Sequence, residues 1–534
     1  MRNRKIDKLD IALAVALIGA IAYKVFRIHI LPEGYHADEM GSAYDAWCLL
    51  HYGVDRWLIR WPVYFLNFGS GQNALYTYML VPLFAVFGVS KTVIRMPALF
   101  GSFLLLFCGI GVIRLTWPRG AEKTSVKRKT AVLLFTLLYG ISPYTQLSAR
   151  LGLESLLMLG FSTLALYLLI LASEKRSTLL WLLDGFCWGL TLYTYAISYI
   201  AVPLFLLFSL AWLVPTGKIR LRQILAFAIP LVVLAFPLVL EQYVNLFGKE
   251  ALSLGPFTVT KLRTYRSGEL TLSNIPGNLL LTLKSALFYD WLDYNTIRRY
   301  WTFFPVSVPF FVIGLVRHIR LSVKRDNKEQ DPSVLILLWF LSMLCTCCLL
   351  GTRGNLNVNP NTNKINGIFF PVMFYIVSGI SFAFREWRSI RWKRHAAVAV
   401  VLAYTGYGAS FAHYYLTDFH PNQYWGYLFP NTVQLIESHE ELAAKPVFSQ
   451  ARGVAYLLSS FHSPYEKNSG ICANWHHNVW TDLEKTVKKY ETGASYLLAE
   501  YPYELYLYFE ENGFKTFEEG NLTLFYHVSE RSAD

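Results

Sequence analysis

Long apolar runs broken by short stretches rich in Lys and Arg dominate this chain. A helix needs about 20 apolar residues to cross ~30 Å of hydrocarbon, so each run of that order is read as a span. Their cores fall near 11–31, 96–117, 130–147, 154–172, 178–196, 198–214, 224–241, 303–317, 333–350, 366–384 and 396–413. The first follows MRNRKIDK and is read as an uncleaved signal-anchor helix. Residues 73–88 (NALYTYMLVPLFAVFG) are also apolar, but the run is short and carries Pro82. It is therefore laid along the membrane surface as a juxtamembrane helix. Residues 41–54 predict a second one, with Ala43, Ala46, Trp47, Leu50 and Val54 on one face and Asp45 and Tyr52 opposite.

The segments assigned to the cytoplasm are 1–8, 118–129, 173–177, 216–223, 317–331 and 385–395. Each is basic or carries several Lys and Arg. By the positive-inside rule, about eleven spans put the N-terminus in the cytoplasm and the C-terminus outside. If 73–88 crossed the membrane, 118–129 and every later basic loop would move outside. Three external pieces result: a first loop, 32–95; a long loop, 242–300; and a polar region, 414–534. In that last region KPVFSQ, SYLLAEY, KTFEEG and NLTLFYHV read as strands and YELYLYFEENG as a helix. The expected fold class is a polytopic α-helical membrane protein with about eleven transmembrane helices and external juxtamembrane helices. Residues 1–413 form the membrane module, and 414–534 a small extracytoplasmic α/β domain.

Composition agrees: of 534 residues, 54% are hydrophobic and only 16% charged. A net charge of +13 in a soluble protein would suggest nucleic acid. Here the cations gather between spans, so the partner is membrane lipid and no nucleic acid is expected. The seven cysteines are scattered without metal-ligand spacing, and neither a disulfide framework nor a zinc site is inferred.

Ionisable groups at the outer ends of spans are the places to look for chemistry. Asp38 and Glu39, in YHADEMGSAYDAW, follow the first span. On their own they would serve as helix N-terminal carboxylates. Further on come HYGVDRWLIRWPVYF and GSGQNALYTYMLVPLFAVFGVSKTVIRMPALFG, then ISPYTQLSARLGLESLLML, and late in the chain NTNKINGIFFPVMFYIVSGI.

In this order the motifs resemble the family 39 branch of the GT-C superfamily of membrane glycosyltransferases, related to protein O-mannosyltransferases and to the lipid A aminoarabinose transferase. The features that carry the resemblance are Asp38-Glu39, the 41–54 helix, Phe87-Gly88, Arg95-Met96-Pro97, Arg150 and Glu154, and the Asn-rich lead-in around Lys364. Glu154 stands where many relatives have Asp. The likeness covers the first 240 residues or so better than the late helices.

The resemblance implies a GT-C-like fold and transfer, with inversion, of a hexosyl or pentosyl group from a polyprenyl-monophosphate carrier. The acceptor is a hydroxyl on the external face of the plasma membrane, borne by protein, lipid or cell-wall glycan. Such a reaction needs a base for the acceptor proton, and Asp38 is the candidate. Glu39 is read as a neighbour that orients the acceptor or raises the proton affinity of Asp38, with a plain surface carboxylate as the alternative. Glu154 is a candidate to complete the acceptor site or to help hold a divalent metal, whose requirement stays open. The leaving phosphate needs fixed cations. Arg150 and Lys364 stand first, followed by Arg263, Arg266, Arg298, Arg299 and Arg353; Arg95 is read as an interfacial residue. For Arg298 and Arg299, beside Tyr300-Trp301, the plainer reading is also an interfacial anchor.

Asp290 and Asp293 are candidates for sugar contacts or turn caps. His476-His477 are read as solvated loop histidines, and Asn521 begins a weak glycosylation sequon. No glycine-rich phosphate loop offers a nucleotide pocket. Two rival readings differ in class. A lipid-linked saccharide transporter would carry charges at span centres, and a cell-envelope assembly protein working through 414–534 would not depend on Asp38.

Overall fold

The computed structural model describes residues 7–67, 70–117, 122–263, 265, 270–290, 295–323, 331–351, 359–386, 393–419, 430–449, 460–466, 474–477, 493–498, 501, 503–519 and 522–528. Helix α1 (Lys8–Val25) opens on a capping box, Asp7 accepting from the main chain of Asp10 while Asp10 accepts from that of Asp7. Next come α2 (Ala37–Tyr52), the hairpin β1 (Tyr64–Asn67) and β2 (Ser70–Asn73), and α3 (Leu75–Phe87). The long α4 (Lys91–Thr116) and α5 (Glu122–Ile141) follow, then a short α6 (Pro143–Ser148), α7 (Glu154–Lys175), α8 (Thr178–Leu192), α9 (Ser198–Leu213) and α10 (Leu221–Leu246).

A helix thus stands at each apolar run up to residue 241, and the same holds for α12 (Ser307–Val323), α13 (Val334–Cys348), α14 (Phe369–Glu386) and α15 (Lys393–Thr417). Among the described residues, five helical segments are long and apolar enough to cross a membrane: Lys91–Thr116, Glu154–Lys175, Leu221–Leu246, Asn366–Phe384 and Arg394–Thr417. Two of them are interior, with 78% of the most apolar window buried for Glu154–Lys175 and 83% for Asn366–Phe384. The corresponding 17% and 6% for Leu221–Leu246 and Arg394–Thr417 leave the outer faces of α10 and α15 to lipid.

Three expectations change. α5 stops at Ile141, short of the expected 147, because Pro143 cannot continue a helix and instead opens α6. α2 starts at Ala37 rather than 41, which places Asp38 and Glu39 in its first turn. Asp45, expected on the polar face of that helix, is fully buried. The region between α10 and α12 also carries structure, with a hairpin of β3 (Leu252–Leu254) and β4 (Phe257–Val259) and a helix, α11 (Ile275–Leu287). Gly255 turns the hairpin at φ +61, a conformation that costs glycine little.

The helices meet through small residues. α4 runs along α7, and a Cβ on Gly160 would overlap the main-chain oxygen of Gly101. α8 against α10 and α12 against α14 repeat the device, with Gly185 against the Phe227 carbonyl and Gly379 against that of Phe310. Trp188, Phe205 and Trp339 fill the centre, and Trp339 Nε1 donates to the Gly367 oxygen at 2.8 Å.

The C-terminal region adds α16 (Pro430–Glu437), α17 (Glu440–Ala443), β5 (Val447–Ser449), β6 (Trp475–His477), β7 (Ser495–Leu498), α18 (Tyr503–Glu511), β8 (Lys515–Glu519) and β9 (Leu522–Tyr526). The strands form one mixed sheet in the order β6-β5-β7-β9-β8, with β5 parallel to both neighbours and the remaining pairs antiparallel. Alternation divides its two faces. Tyr496, Leu498 and Phe525 pack with Phe509 of α18, whereas Leu497, Leu522 and Leu524 join Met40, Ala43 and Tyr44 of α2 and Tyr76 of α3. The sheet therefore lies against α2 and α3, where Tyr44 Oη donates to the His462 carbonyl at 2.5 Å.

Candidate active site

The first turn of α2 is built by an exchange of hydrogen bonds. His36, the N-cap, accepts at Nδ1 from the Asp38 main-chain N–H at 3.2 Å, and the His36 N–H donates to Glu39 Oε2 at 3.1 Å. Two adjacent carboxylates on a helix point about 100° apart, so one can face the core while the other faces out. Glu39 faces in. Its carboxylate pairs with Arg95 Nε of α4 at 2.7 Å, both side chains are 0% exposed, and the Gly152 N–H donates to Oε1 at 3.2 Å. The same guanidinium donates to the carbonyls of Ile28, Pro32 and Gly34 at 3.1–3.4 Å. Arg95 is therefore a core residue tying the end of the first span to α2, and not the interfacial residue expected.

Asp38 faces out, with a side chain 31% exposed. Asn67 Nδ2, at the end of β1, donates to Asp38 Oδ1 at 2.8 Å. The amide oxygen of Asn67 accepts from Arg56 Nη2 at 3.2 Å, and Arg56 Nε reaches Asp45 Oδ1 at 3.3 Å. Asp55 braces the turn below by accepting from the N–H groups of Trp57 and Ile59, each at 2.8 Å. Burial pushes the carboxyl of Asp45 up to about 7 and that of Asp55 up to about 6, in both cases against the pull of Arg56.

Glu154 is the first residue of α7 and half-buried. Gln72 of β2 joins it to α2, its Nε2 donating to Glu154 Oε2 and Ser42 Oγ at 2.9 Å each and lying 3.5 Å from the Asp38 carbonyl. The Asn-rich segment before α14 closes on the same turn of α7. Ser155 Oγ donates to Asn363 Oδ1, and Asn366 Nδ2 donates to the Ser155 carbonyl at 3.0 Å. The Thr362 N–H donates to the Asp290 carboxylate, which joins the region after α11 to this segment. Lys364, in its middle, is 9% exposed. The structure thus brings Asp38, Glu154 and the Lys364 segment together.

The other expected cations are placed elsewhere. Arg150 is fully buried, and its guanidinium closes the C-terminal end of α1. It donates to the carbonyls of Tyr23 (3.2 Å), Lys24 (3.0 Å) and Phe26, and approaches Tyr415 Oη at 3.5 Å. These carbonyls are the acceptors a helix end leaves unsatisfied, so Arg150 does a structural job here. Arg298 and Arg299 are exposed and stack on Tyr289 and Tyr300, and exposed Arg263 stacks on Trp57. Arg266, Arg353, Asp293 and Asn521 lie outside the described residues, as do the side chains of His476 and His477. Among the described residues no three His, Cys, Asp or Glu side chains come together as a metal site.

Sequence reasoning missed Asn67, Gln72, Arg56 and His36. The one signal available was the polar, glycine-rich stretch between Asn67 and Asn73, set between two apolar segments.

The fold has solved relatives over almost its whole length. ArnT from Cupriavidus metallidurans in the apo state matches with a TM-score of 0.50 at 12% identity, over 96% of this chain and 97% of that one. The same protein bound to undecaprenyl phosphate matches with a TM-score of 0.55 at 9% identity, over 97% and 98%. The archaeal oligosaccharyltransferase AglB from Archaeoglobus fulgidus, in complex with an inhibitory peptide and a dolichol-phosphate, matches with a TM-score of 0.52 at 13% identity, over 85% and 63%. No protein-family model matches the chain, and no curated protein matches its sequence. The likeness is one of fold: the helices and the C-terminal region follow the architecture of these solved membrane proteins. It is similar to ArnT from end to end.

Proposed function

We propose that this protein is a glycosyltransferase that moves a sugar from a polyprenyl monophosphate to an acceptor hydroxyl at the outer face of the membrane. The observation that carries the reading is the outward Asp38 carboxylate, held at one oxygen by Asn67 beside the Gln72–Glu154 link. Its fold relatives in complex with undecaprenyl phosphate and dolichol-phosphate support a lipid-phosphate donor.

In this reading Asp38 takes the proton of the acceptor hydroxyl as its oxygen attacks the anomeric carbon. The bond from that carbon to the phosphate oxygen breaks with inversion, and the phosphate leaves with the electron pair. Glu154, steadied by Gln72, orients the acceptor. Lys364 meets the developing phosphate charge, since its segment is bonded to the first turn of α7. Glu39, committed to Arg95, fixes the helix that presents Asp38. The polyprenyl tail lies against the outer apolar helices, where each buried CH2 contributes ~0.8 kcal/mol.

The test is Asp38→Asn. Asn keeps the shape and the acceptor oxygen for Asn67 but cannot take up the proton, and loss of a general base costs ~10²–10⁴-fold in rate. The variant is expected to insert, to unfold at the wild-type temperature in detergent, and to lose nearly all transfer from a polyprenyl-phosphate sugar. Transfer within a few-fold of wild type would remove Asp38 as the base. Efficient use of a nucleotide sugar would remove the donor class.

A further inference from the structure

We infer that Asn67 is a positioning residue that gives the two oxygens of Asp38 different tasks, Oδ1 to be held and Oδ2 to receive the acceptor proton. The inference rests on the reading of Asp38 as the base.

Three observations carry it. Asn67 is 9% exposed and donates from Nδ2 to Asp38 Oδ1 at 2.8 Å. Its amide oxygen accepts from Arg56 Nη2 at 3.2 Å, and a guanidinium has only donors, so the amide cannot turn round without setting N–H against N–H. Arg56 is itself anchored. Its main-chain N–H donates to Asp45 Oδ1 at 3.1 Å, its Nη2 also reaches the Leu66 carbonyl at 3.3 Å, and Asp45 is fully buried. Gly41 leaves the room this requires, because a Cβ there would stand 2.8 Å from Arg56 Nη1.

The line Asp45–Arg56–Asn67–Asp38 therefore runs from the buried face of α2 to its open end, each member oriented by the one behind it. On the other side, His36 Nδ1 stands 3.8 Å from Asp38 Oδ2. That nitrogen accepts from the Asp38 main-chain N–H, so in the neutral ring the proton is on Nε2 and Nδ1 does not donate to Oδ2.

The proton balance suits this division. The acceptor O–H bond breaks, an Oδ2–H bond forms, and Oδ1 becomes the carbonyl oxygen of the neutral acid. As a carbonyl it still accepts from Asn67, so the bond made before proton transfer survives it. Asn67 gains and loses no proton and acts only through Asp38.

The experiment uses full-length protein in detergent with Asn67→Ala, Asn67→Leu and Asp38→Asn. Infrared bands lost in Asp38→Asn identify the Asp38 carboxylate. Binding is probed with undecaprenyl phosphate, and transfer is read as lipid phosphate released from the lipid-linked sugar fraction of the source membranes. In both Asn67 variants the gap between the antisymmetric and symmetric Asp38 stretches should narrow, because one oxygen is no longer singled out. Transfer should fall about 10²-fold, the order expected for a misplaced reacting group. Undecaprenyl phosphate affinity should stay within about twofold of wild type, since Asn67 acts only at Asp38.

Leu keeps the branching of Asn at Cγ, in a larger side chain with neither donor nor acceptor, so it carries the test if the Ala variant does not fold. Unmoved bands or wild-type transfer in a folded Asn67 variant overturn the inference. If Asp38→Asn itself retains transfer, it is the base assignment that has failed. An inactive Asp38→Asn beside an unaffected Asn67 variant removes only the positioning role.

Discussion

A buried arginine is costly unless its charge and all its donors are met, and Arg95 meets both conditions by spending them on one carboxylate and three carbonyls. Removing one partner of such a pair costs ~3–5 kcal/mol, because the charge left behind stays out of water. Arg95→Ala should therefore lower the detergent unfolding temperature sharply, and Glu39→Gln should do so less, since the amide still accepts from the guanidinium. In both variants lost transfer should track lost folded protein, unlike Asp38→Asn. A Glu39→Gln protein as stable as wild type yet inactive would move Glu39 from scaffold to chemistry. The carboxylate pair was legible in the sequence. Its division of labour was not, because it depends on an arginine 56 positions away in another helix. Arg150 teaches the same lesson: charge and external position suggested phosphate, whereas the carbonyls it satisfies lie more than 120 positions earlier.

Between helices the decisive contacts are made by what is absent. Gly160 of α7 lets the Gly101 carbonyl of α4 approach so closely that no side chain fits. In a bilayer, where apolar burial between helices gains little over lipid, such close backbone approach supplies much of the attraction. Gly160→Ala should leave membrane insertion unchanged, because hydropathy governs it, yet destabilise the folded protein by about 1–3 kcal/mol. Thermal unfolding in detergent reads this directly, and an unchanged midpoint would mean that α4 and α7 do not meet at this point. The helices themselves were legible as apolar runs. The β1–β2 hairpin was not, because Ser70–Asn73 is too short and too polar for periodicity to show; that strand is held by Tyr64 over Gly71 and by the Gln72 bonds to Ser42 and Glu154. Four of the five C-terminal strands were legible as short runs of apolar and aromatic residues between polar turns, whereas β6 (Trp475–His477), read as loop, was not.

The contact between the C-terminal sheet and α2 constrains how the chain threads the membrane. Tyr44 and Trp47 pack on Phe461, and Tyr44 Oη bonds the His462 carbonyl, so the first loop and the C-terminal region share one side. Every crossing reverses the side, so an even number must separate them. On the reading of about eleven spans, α4, α5, α7, α8, α9, α10, α12, α13, α14 and α15 would supply ten such crossings. Counting α3, 13 residues with an internal proline, as well would make the number odd and set the sheet and α2 on opposite sides. The contact does not say which side this is; the outer face is our proposal, and the basic segments are its ground. Three cysteines in a cysteine-free chain test both steps, at exposed positions Lys175, Arg299 and Lys515. In intact cells a membrane-impermeant thiol reagent should label Arg299→Cys and Lys515→Cys, and should reach Lys175→Cys only after permeabilisation. Labelling of Lys175→Cys alone would invert the whole molecule while preserving the site. Arg299→Cys and Lys515→Cys on opposite sides would break the even count, and with it the packing of the sheet on the helix that carries Asp38.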